Sequence, residues 1–505
     1  MLSPIQKEIV EQPGNLIVRA SAGTGKTHTM VAKIIYDIEH QHTHKVIAAI
    51  TFTIKAANEI KERLTIDTTN HFIGTTNSFV IEEIIKPFMK DVYGMEYKLD
   101  MSTDYSIKAE TFENGILKLK ENQILCSYED NKKNFIFQLA LDILSKSKAC
   151  QLYLQAKYFK IYVDEYQDCD KDMHNLFMYI CDVLKIDTFV VGDEKQSIYT
   201  WRGAYPQAFM SIWDREDFSR KLMRKNFRFN QQIQNYSNLL CKETRDLYTP
   251  VEDLSSVIVV CARKDNWIAS IVPFLDKEKK CALLRFKNND ARDGAQKLTE
   301  ANIDFTYIPQ TPISNITTET AWLYNAVAKF FILPKYSAYD FRDEIPNEVV
   351  GNKKILNYVK KSLANLGACL KQEDSISFIK QVQKLANYLG YETKARHCEE
   401  LYETICDESN HSAFKVDELK RIAITFHSSK GLEFEQVILF ASDYTLYRDE
   451  DVYNHYVAVT RAKSKLILLC FYNNQGSSTY VKNIKKILAE SNLRMQNIAT
   501  IARFK

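Results

Sequence analysis

The stretch VRASAGTGKTHTM, residues 18–30, constrains the fold of this 505-residue chain more than any other feature. A small residue, four variable positions and then Gly25, Lys26 and Thr27 match a phosphate-binding loop, entered from the apolar run Leu16–Val18. In such loops backbone N–H groups surround a phosphate, the lysine neutralises its oxygens, and the hydroxyl holds a magnesium ion. The residues up to about His40 predict a helix whose N-terminus favours the anion. An ordinary glycine turn before a helix fits this stretch alone, so the rest of the chain decides.

Composition limits the class of protein. A content of 45% hydrophobic and 26% charged residues predicts several globular units, and a net charge of +3 excludes a globally basic nucleic-acid coat. Eleven cysteines at wide spacing argue against zinc ribbons and disulfide scaffolds, and indicate thiols buried in a reducing compartment. No signal-peptide or membrane-spanning pattern is present, so we expect a cytoplasmic protein without membrane contact.

Two series of short apolar runs alternate with helical patterns. Runs of this kind are typical of parallel strands that are covered on both faces. Polar helical stretches at 81–154 and 336–418 interrupt the two series and predict inserted subdomains. The predicted strands are 15–18, 46–52, 159–163 and 188–191 in the first series, and 257–261, 281–285, 305–308, 422–425, 437–440 and 466–470 in the second.

An acidic pair follows one predicted strand in FKIYVDEYQDCD. Asp164 and Glu165 would lie at the carboxyl edge of a parallel sheet, where the phosphate loop also lies. Asp164 would hold magnesium, and Glu165 would orient or deprotonate the attacking water. A solvated acidic turn is the better interpretation of an isolated pair, but the upstream loop favours the catalytic one.

A second strand and loop occur in FVVGDEKQSIYTWRGAYP. Gln196 beside a γ-phosphate could change its hydrogen bonds on hydrolysis and so report nucleotide state. Trp201, in a polar loop, could stack on a base with little sequence preference. Packing into an interdomain seam explains the tryptophan equally well.

These stretches occur in the order found in UvrD/Rep/PcrA-like DNA helicases of superfamily 1, which the chain resembles from Gln6 to Lys463. The similar segments are LSPIQ, ASAGTGKT, ITFTIKAANEIKERL, IGTTNSF, VDEYQD, GDEKQSIYTWRGA, NFRF, ITFHSSKGLEFEQVIL and YVAVTRAKSKL. The resemblance implies an α/β fold of two RecA-like P-loop NTPase cores with helical insertions and ATP bound between the cores. The implied parts are 1–80 and 155–218 for the first core, 81–154 for its insertion, 219–335 and 419–505 for the second core, and 336–418 for a reduced second insertion.

The resemblance also implies roles for nucleotide-site residues. Gln6 would read adenine, Arg228 and Arg461 would reach the γ-phosphate from the second core, and Glu433 would lie near the ribose or the nucleotide edge. Taken alone, the two arginines fit surface ion pairs better. Magnesium would be held by Thr27 and Asp164, and catalysis would involve Lys26, Glu165, Gln196, Arg228 and Arg461. The implied ATP-binding loop is Ala20, Ser21, Ala22, Gly23, Thr24, Gly25, Lys26, Thr27 and His28.

On the DNA side, the resemblance implies that Phe52 and Trp201 stack on single-strand bases and that Thr51 and Thr75 touch phosphates. His427 and Ser428 are implied near the DNA track, although a core hydrogen-bonding role suits His427 equally well. Phe52 taken alone, after an apolar run, fits a core position better. The implied activity is ATP-dependent, DNA-stimulated movement from 3′ to 5′ on single strands or DNA ends.

Several features depart from the common helicase pattern. Asn77 stands where relatives usually carry histidine, NFRF replaces the commoner NYRS, and only 336–418 remains for the second insertion. GTTNSFVIEEIIKPFMKDVYG, YLQAKYFKIYVDEYQDCDK and QQIQNYSNLL are similar to the helicase-like subunits of bacterial Gabija anti-phage defence systems. That resemblance implies a nuclease partner with ATPase and Toprim-type domains.

Other functions stay open at this point. The chain could be a free-standing repair helicase, or a scaffold that binds DNA or a nuclease and for which hydrolysis is secondary. It could also act mainly by depleting nucleotides, since the same residues would serve that activity.

Overall fold

A computed structural model describes residues 2–98, 101–130, 132–198, 203–316, 320–345, 353–391 and 393–504. The strands in this part of the chain are β1 (Leu16–Ala20), β2 (Val46–Thr51), β3 (Phe72–Thr75), β4 (Ser102–Ala109), β5 (Ile124–Tyr128), β6 (Tyr158–Val163), β7 (Asp187–Gly192), β8 (Ser219–Met223), β9 (Val257–Ala262), β10 (Cys281–Arg285), β11 (Thr306–Tyr307), β12 (Arg421–Thr425), β13 (Phe434–Phe440), β14 (Ala462–Phe471) and β15 (Thr500–Arg503). The α-helices are α1 (Pro4–Glu11), α2 (Lys26–Glu39), α3 (Ile54–Arg63), α4 (Thr76–Val80), α5 (Lys86–Tyr93), α6 (Phe112–Asn122), α7 (Phe135–Lys146), α8 (Lys148–Lys157), α9 (Lys171–Asp182), α10 (Pro206–Trp213), α11 (Gln231–Leu240), α12 (Trp267–Ile271), α13 (Asn288–Glu300), α14 (Ala321–Ile332), α15 (Ala338–Asp343), α16 (Lys353–Lys371), α17 (Ser375–Tyr388), α18 (Ala395–Cys406), α19 (Asp449–Val459) and α20 (Gln475–Ala489).

The chain divides into two compact units. Unit one comprises Met1–Met101, Ser106–Leu275 and Ser429–Lys505, and unit two comprises Ser102–Tyr105 and Asp276–Ser428. Both contain parallel strands and helices, which confirms the predicted α/β class.

Unit one contains a six-stranded sheet in the order β3-β2-β6-β7-β1-β8. Its paired strands are parallel, and the central strands carry the apolar runs because helices cover both of their faces. Strand β8 pairs with β1, with Val18 opposite Lys221. The first sheet therefore extends past residue 218, where the sequence placed the end of the first core. β8 was missed because SRKLM, with the consecutive charged residues Arg220 and Lys221, does not form an apolar run.

Unit one also contains four parallel strands in the order β13-β14-β9-β15. The last of these was not predicted, since TIAR is short and its side chains are mostly exposed at the edge of the sheet. Unit two contains three parallel strands in the order β11-β12-β10.

The two interrupting segments differ in structure. Segment 81–154 contains helices and also a small sheet of β4 and β5, which the purely helical prediction missed. The described residues of segment 336–418 are mainly helical, and α15 to α18 bury an apolar core that includes Val359, Phe378 and Leu401. No helix among the described residues is long and apolar enough to cross a membrane.

Candidate nucleotide site and nucleic-acid contacts

The predicted phosphate loop connects β1 to α2. Ala20 ends the strand, Ser21 to Gly25 form the turn, and Lys26, Thr27 and exposed His28 begin the helix. Gly23 and Gly25 have φ angles of 76° and 83°, a backbone conformation that favours glycine. The Thr24 hydroxyl donates a 2.8 Å hydrogen bond to the Ser21 carbonyl and so closes the turn.

Gln6 lies against this loop. It is buried in the first turn of α1, where its Oε1 accepts a 2.9 Å hydrogen bond from the Ser3 N–H. Its Nε2 donates to the Thr24 carbonyl at 3.4 Å, and a Cβ atom at Gly25 would lie 3.1 Å from that nitrogen. The capping interaction of α1 therefore fixes the Gln6 amide beside the loop.

Lys26 and the acidic pair lie together. The Lys26 Nζ is 3.1 Å from Glu165 Oε1, and Asp164 Oδ1 accepts a 2.8 Å hydrogen bond from the Glu165 N–H. Burial and then the charge of Glu165 raise the pKa of the Asp164 carboxyl. Burial opposes ionisation of Glu165 as well, but the positive charges of Lys26 and Lys430 outweigh it and lower its pKa. Glu165 is therefore a carboxylate that its cationic neighbours keep ionised.

Gln167 and Asp168, which sequence reasoning did not single out, surround Glu165. The Gln167 Nε2 donates to Glu165 Oε2, and its Oε1 accepts a 3.0 Å hydrogen bond from the Asp193 N–H. Asp168 Oδ2 is 2.5 Å from Lys430 Nζ. Both residues are in VDEYQD, directly downstream of the acidic pair. Their closeness to that pair was the available sequence signal for a role at the site.

Gln196 is buried in the short 3₁₀ helix that follows β7. Its Nε2 donates a 2.8 Å hydrogen bond to Asp193 Oδ2. The backbone carbonyl of Gln196 accepts a 3.3 Å hydrogen bond from Lys430 Nζ. Contact of this side chain with a γ-phosphate stays a prediction.

Arg228 and Arg461 are both in unit one and near Glu433. Arg228 Nε is 2.7 Å from Glu433 Oε1. Arg461 is 2% exposed, and its guanidinium donates hydrogen bonds to the Val457 and Leu432 carbonyls. Burial and then the charge of Arg228 lower the pKa of Arg461 to about 10. Because the positive charge of Arg228 disfavours the charged form of Arg461, an anion bound near both groups would be stabilised.

The segment that carries Arg228 is joined to the phosphate loop. The Phe227 N–H donates a 2.8 Å hydrogen bond to the Gly23 carbonyl, and the Phe227 side chain is 56% exposed. Asn226 Oδ1 accepts a 2.9 Å hydrogen bond from the Arg228 N–H and so fixes the turn. Sequence reasoning did not single out Phe227, although an aromatic residue beside Arg228 in NFRF was a signal for a stacking surface.

The predicted DNA-contact residues fall in both units. Thr51 and Thr75 are directly opposite each other where β2 and β3 end, and half-buried Phe52 follows. The Thr75 hydroxyl accepts a 3.2 Å hydrogen bond from the Ser78 N–H and caps α4. Trp201 lies outside the described residues.

The remaining two residues follow β12 in unit two. Ser428 is exposed, and its N–H donates to the Thr425 hydroxyl at 3.3 Å. His427 contacts Phe286, whose ring centroid is 5.8 Å away and whose side chain is 41% exposed. The structure thus adds an aromatic residue, Phe286, to the expected His427 site.

Comparison with known proteins gives consistent matches. The model of the UvrD/REP helicase N-terminal domain matches residues 2–136 and 124–218, and that of the UvrD-like helicase C-terminal domain matches 422–469. The chain is 39% identical over 504 residues to the Gabija protein GajB of Bacillus cereus (strain VD045), which covers 97% of this chain and 99% of the relative. It is 30% identical over 290 residues to the ATP-dependent DNA helicase Rep of Buchnera aphidicola subsp. Acyrthosiphon pisum, covering 46% of this chain and 44% of Rep. It is 28% identical over 291 residues to the ATP-dependent DNA helicase PcrA of Bacillus subtilis, covering 48% and 39% of the two chains.

Proposed function

Because this chain belongs to the UvrD/Rep family of DNA helicases, we propose that it hydrolyses ATP to move 3′ to 5′ along single-stranded DNA or from DNA ends. We further propose that it is the sensor or motor subunit of a Gabija-type defence complex with a nuclease partner. The observation that carries the ATPase proposal is the phosphate loop itself. Lys26 and Glu165 are paired beside it, and a hydrogen bond from Phe227 to Gly23 joins it to the segment that carries Arg228.

The chemistry follows from the groups at this site. Lys26 and the arginines supply positive charge for the phosphates of ATP, and the planar fork of Arg228 suits phosphate oxygens. Glu165, kept ionised by its neighbours, would take the proton of the water that attacks the γ-phosphorus, and ADP would leave. Charge on the γ-phosphate oxygens in the transition state would be stabilised by Arg228 and Arg461.

The residues present also fit a magnesium ion. Thr27 lies in the first turn of α2 and Asp164 follows β6, so each supplies the oxygen ligand that Mg²⁺ prefers. Bound there, the ion would neutralise phosphate charge. Burial favours the protonated form of Asp164, and a cation bound beside it would instead favour the ionised form.

We propose that DNA is bound without sequence preference. Thr75 is half-buried and suits a backbone phosphate, whereas its neighbour Thr51 is only 1% exposed. Half-buried Phe52 and the Phe286–His427 pair suit base stacking. Binding that depends on phosphates weakens as salt increases. Stimulation of hydrolysis by DNA should therefore fall along a salt series.

The direct test is steady-state ATP hydrolysis by the purified chain with and without single-stranded DNA. We expect strong stimulation, and a loss of about 100-fold or more in Lys26→Ala and Glu165→Gln. Lys264→Ala and Glu252→Gln are matched controls, since both side chains are exposed and outside the site. Normal DNA-stimulated turnover in either site variant would refute the assignment.

Direction and partnership need separate experiments. Duplexes with a 3′ or a 5′ single-stranded tail test the direction, and only the 3′-tailed substrate should be engaged productively. Co-purification with a candidate nuclease partner tests the complex. Robust unwinding without any stable nuclease partner would favour a free-standing repair helicase, and phage protection that survives Lys26→Ala would favour a scaffold.

A further inference from the structure

Tyr456 lies at a junction of three nucleotide-site segments. It is 2% exposed in α19, the helix that leads to Arg461. Its hydroxyl accepts a 3.1 Å hydrogen bond from the Ala22 N–H in the phosphate loop. The same hydroxyl donates a 3.2 Å hydrogen bond to Asp193 Oδ2, directly after β7.

Asp193 extends this junction toward the candidate catalytic base. Its carboxylate also accepts a 2.8 Å hydrogen bond from Gln196 Nε2 and pairs with Lys195 Nζ at 2.6 Å. Its N–H donates to Gln167, whose Nε2 donates to Glu165. A continuous path of hydrogen bonds therefore joins the Tyr456 hydroxyl to Glu165.

Charge and burial fix the direction of these hydrogen bonds. Burial raises the pKa of the Tyr456 hydroxyl, so it stays protonated and can donate to the Asp193 carboxylate. Burial opposes ionisation of Asp193, but the charges of Lys195 and Lys26 and the hydrogen bonds from Lys195 and Gln196 together outweigh it and lower that pKa. Lys195 Nζ lies 5.6 Å from the centre of the Tyr456 ring and holds the ring from one face.

We propose that Tyr456 is a positioning residue for ATP hydrolysis. It lies in the helix that leads to Arg461, and its hydroxyl connects the phosphate loop at Ala22 with Asp193. Asp193 is in turn connected to Glu165 through Gln167. This inference rests on the proposed ATPase. Removing the hydroxyl leaves the Ala22 N–H and Asp193 each without one buried partner, while the ring and its packing remain. The loop, the base and the arginine would then lose their mutual alignment, although the groups that bind the nucleotide would all be present.

The variant Tyr456→Phe tests this, with Tyr480→Phe as the matched control. Tyr480 is also fully buried and hydrogen-bonded, to Tyr236 and at 3.1 Å to His455, away from the phosphate loop. We expect Tyr456→Phe to lower kcat for DNA-stimulated hydrolysis about tenfold or more, while its affinity for a fluorescent ADP analogue stays within about threefold of wild type. We expect Tyr480→Phe to change the melting temperature without this selective loss of kcat.

Amide hydrogen exchange gives a readout that does not depend on turnover. Peptides covering residues 20–25 should exchange faster in Tyr456→Phe than in wild type or in Tyr480→Phe. Unchanged exchange in this loop, or a kcat equal to that of an active wild type, would overturn the inference. An inactive wild-type protein would refute the proposed ATPase instead, and the exchange experiment would still decide whether Tyr456 holds the loop.

Discussion

Substitution of Gly23 by alanine should uncouple the phosphate loop from Arg228. A Cβ atom at Gly23 would lie 2.2 Å from Asn226 Oδ1 and 2.8 Å from Arg228 Cβ. Asn226 cannot simply swing away, because its Oδ1 accepts hydrogen bonds from the Arg228 and Phe229 N–H groups. The change must therefore displace the loop or the segment that carries Arg228.

Gly14 provides the control that isolates this clash. Gly14 and Gly23 have similar positive φ angles, 72° and 76°, but a Cβ atom at Gly14 would meet nothing within 4 Å. Both alanine variants incur about 1–2 kcal/mol for the left-handed backbone. Only Gly23→Ala adds the overpacking cost of about 1–3 kcal/mol.

The assay compares kcat/KM for DNA-stimulated ATP hydrolysis in the two variants. If the additional cost falls on the contact between the loop and the Arg228 segment during hydrolysis, kcat/KM should be about 5- to 160-fold lower in Gly23→Ala than in Gly14→Ala. Melting temperatures would show that both proteins are folded. Equal kcat/KM values would refute the idea that close contact between the loop and the Arg228 segment supports hydrolysis.

Three further predictions concern the surroundings of the site. Gly192→Ala would place a Cβ atom 2.6 Å from Gln167 Oε1, so we expect kcat to fall about tenfold or more, measured by the same ATPase assay. Arg461→Lys removes the planar fork that donates to buried carbonyls, and we expect lower turnover and a lower melting temperature than in the exposed control Arg263→Lys. Burial raises the pKa of Asp168 from 3.8 to about 6 despite the opposing charge of Lys430. Because the folded chain then binds a proton that the unfolded chain has released, this group makes stability fall as pH rises from about 4 to about 6. Asp168→Asn should reduce that slope in a series of melting temperatures, and an unchanged slope would contradict the assignment.

Much of the fold could be predicted because buried parallel strands have a simple sequence pattern. Runs such as Leu16–Val18 and residues 188–191 are nearly all apolar, since helices cover both faces of the sheet. Strand β8 begins with three consecutive polar residues and the side chains of β15 are mostly exposed, so a buried apolar pattern could not reveal them. The pair β4 and β5 was missed because it lies within a segment whose helices dominate the pattern, although β5 itself is largely buried.

The candidate site was predictable where chemistry is concentrated in contiguous motifs. Lys26, Asp164 and Glu165 occur in such motifs, and the structure brings them together. Gln167 lies in VDEYQD, two positions from its partner Glu165, and could have been singled out there, whereas Tyr456 was missed because its partners are far away in the sequence. The hydroxyl of Tyr456 meets Ala22, which is 434 positions away, and no local pattern encodes that contact.

The ion pair between Lys26 and Glu165 has a consequence for the timing of catalysis. Lys26, the cation proposed to bind phosphate, is paired with Glu165, the group proposed to activate water. A triphosphate carries several negative charges and competes for that lysine more strongly than one carboxylate does. Binding of the triphosphate to Lys26 would therefore free the Glu165 carboxylate from this ion pair. The substrate itself would thus make the proposed base available to accept a proton from water.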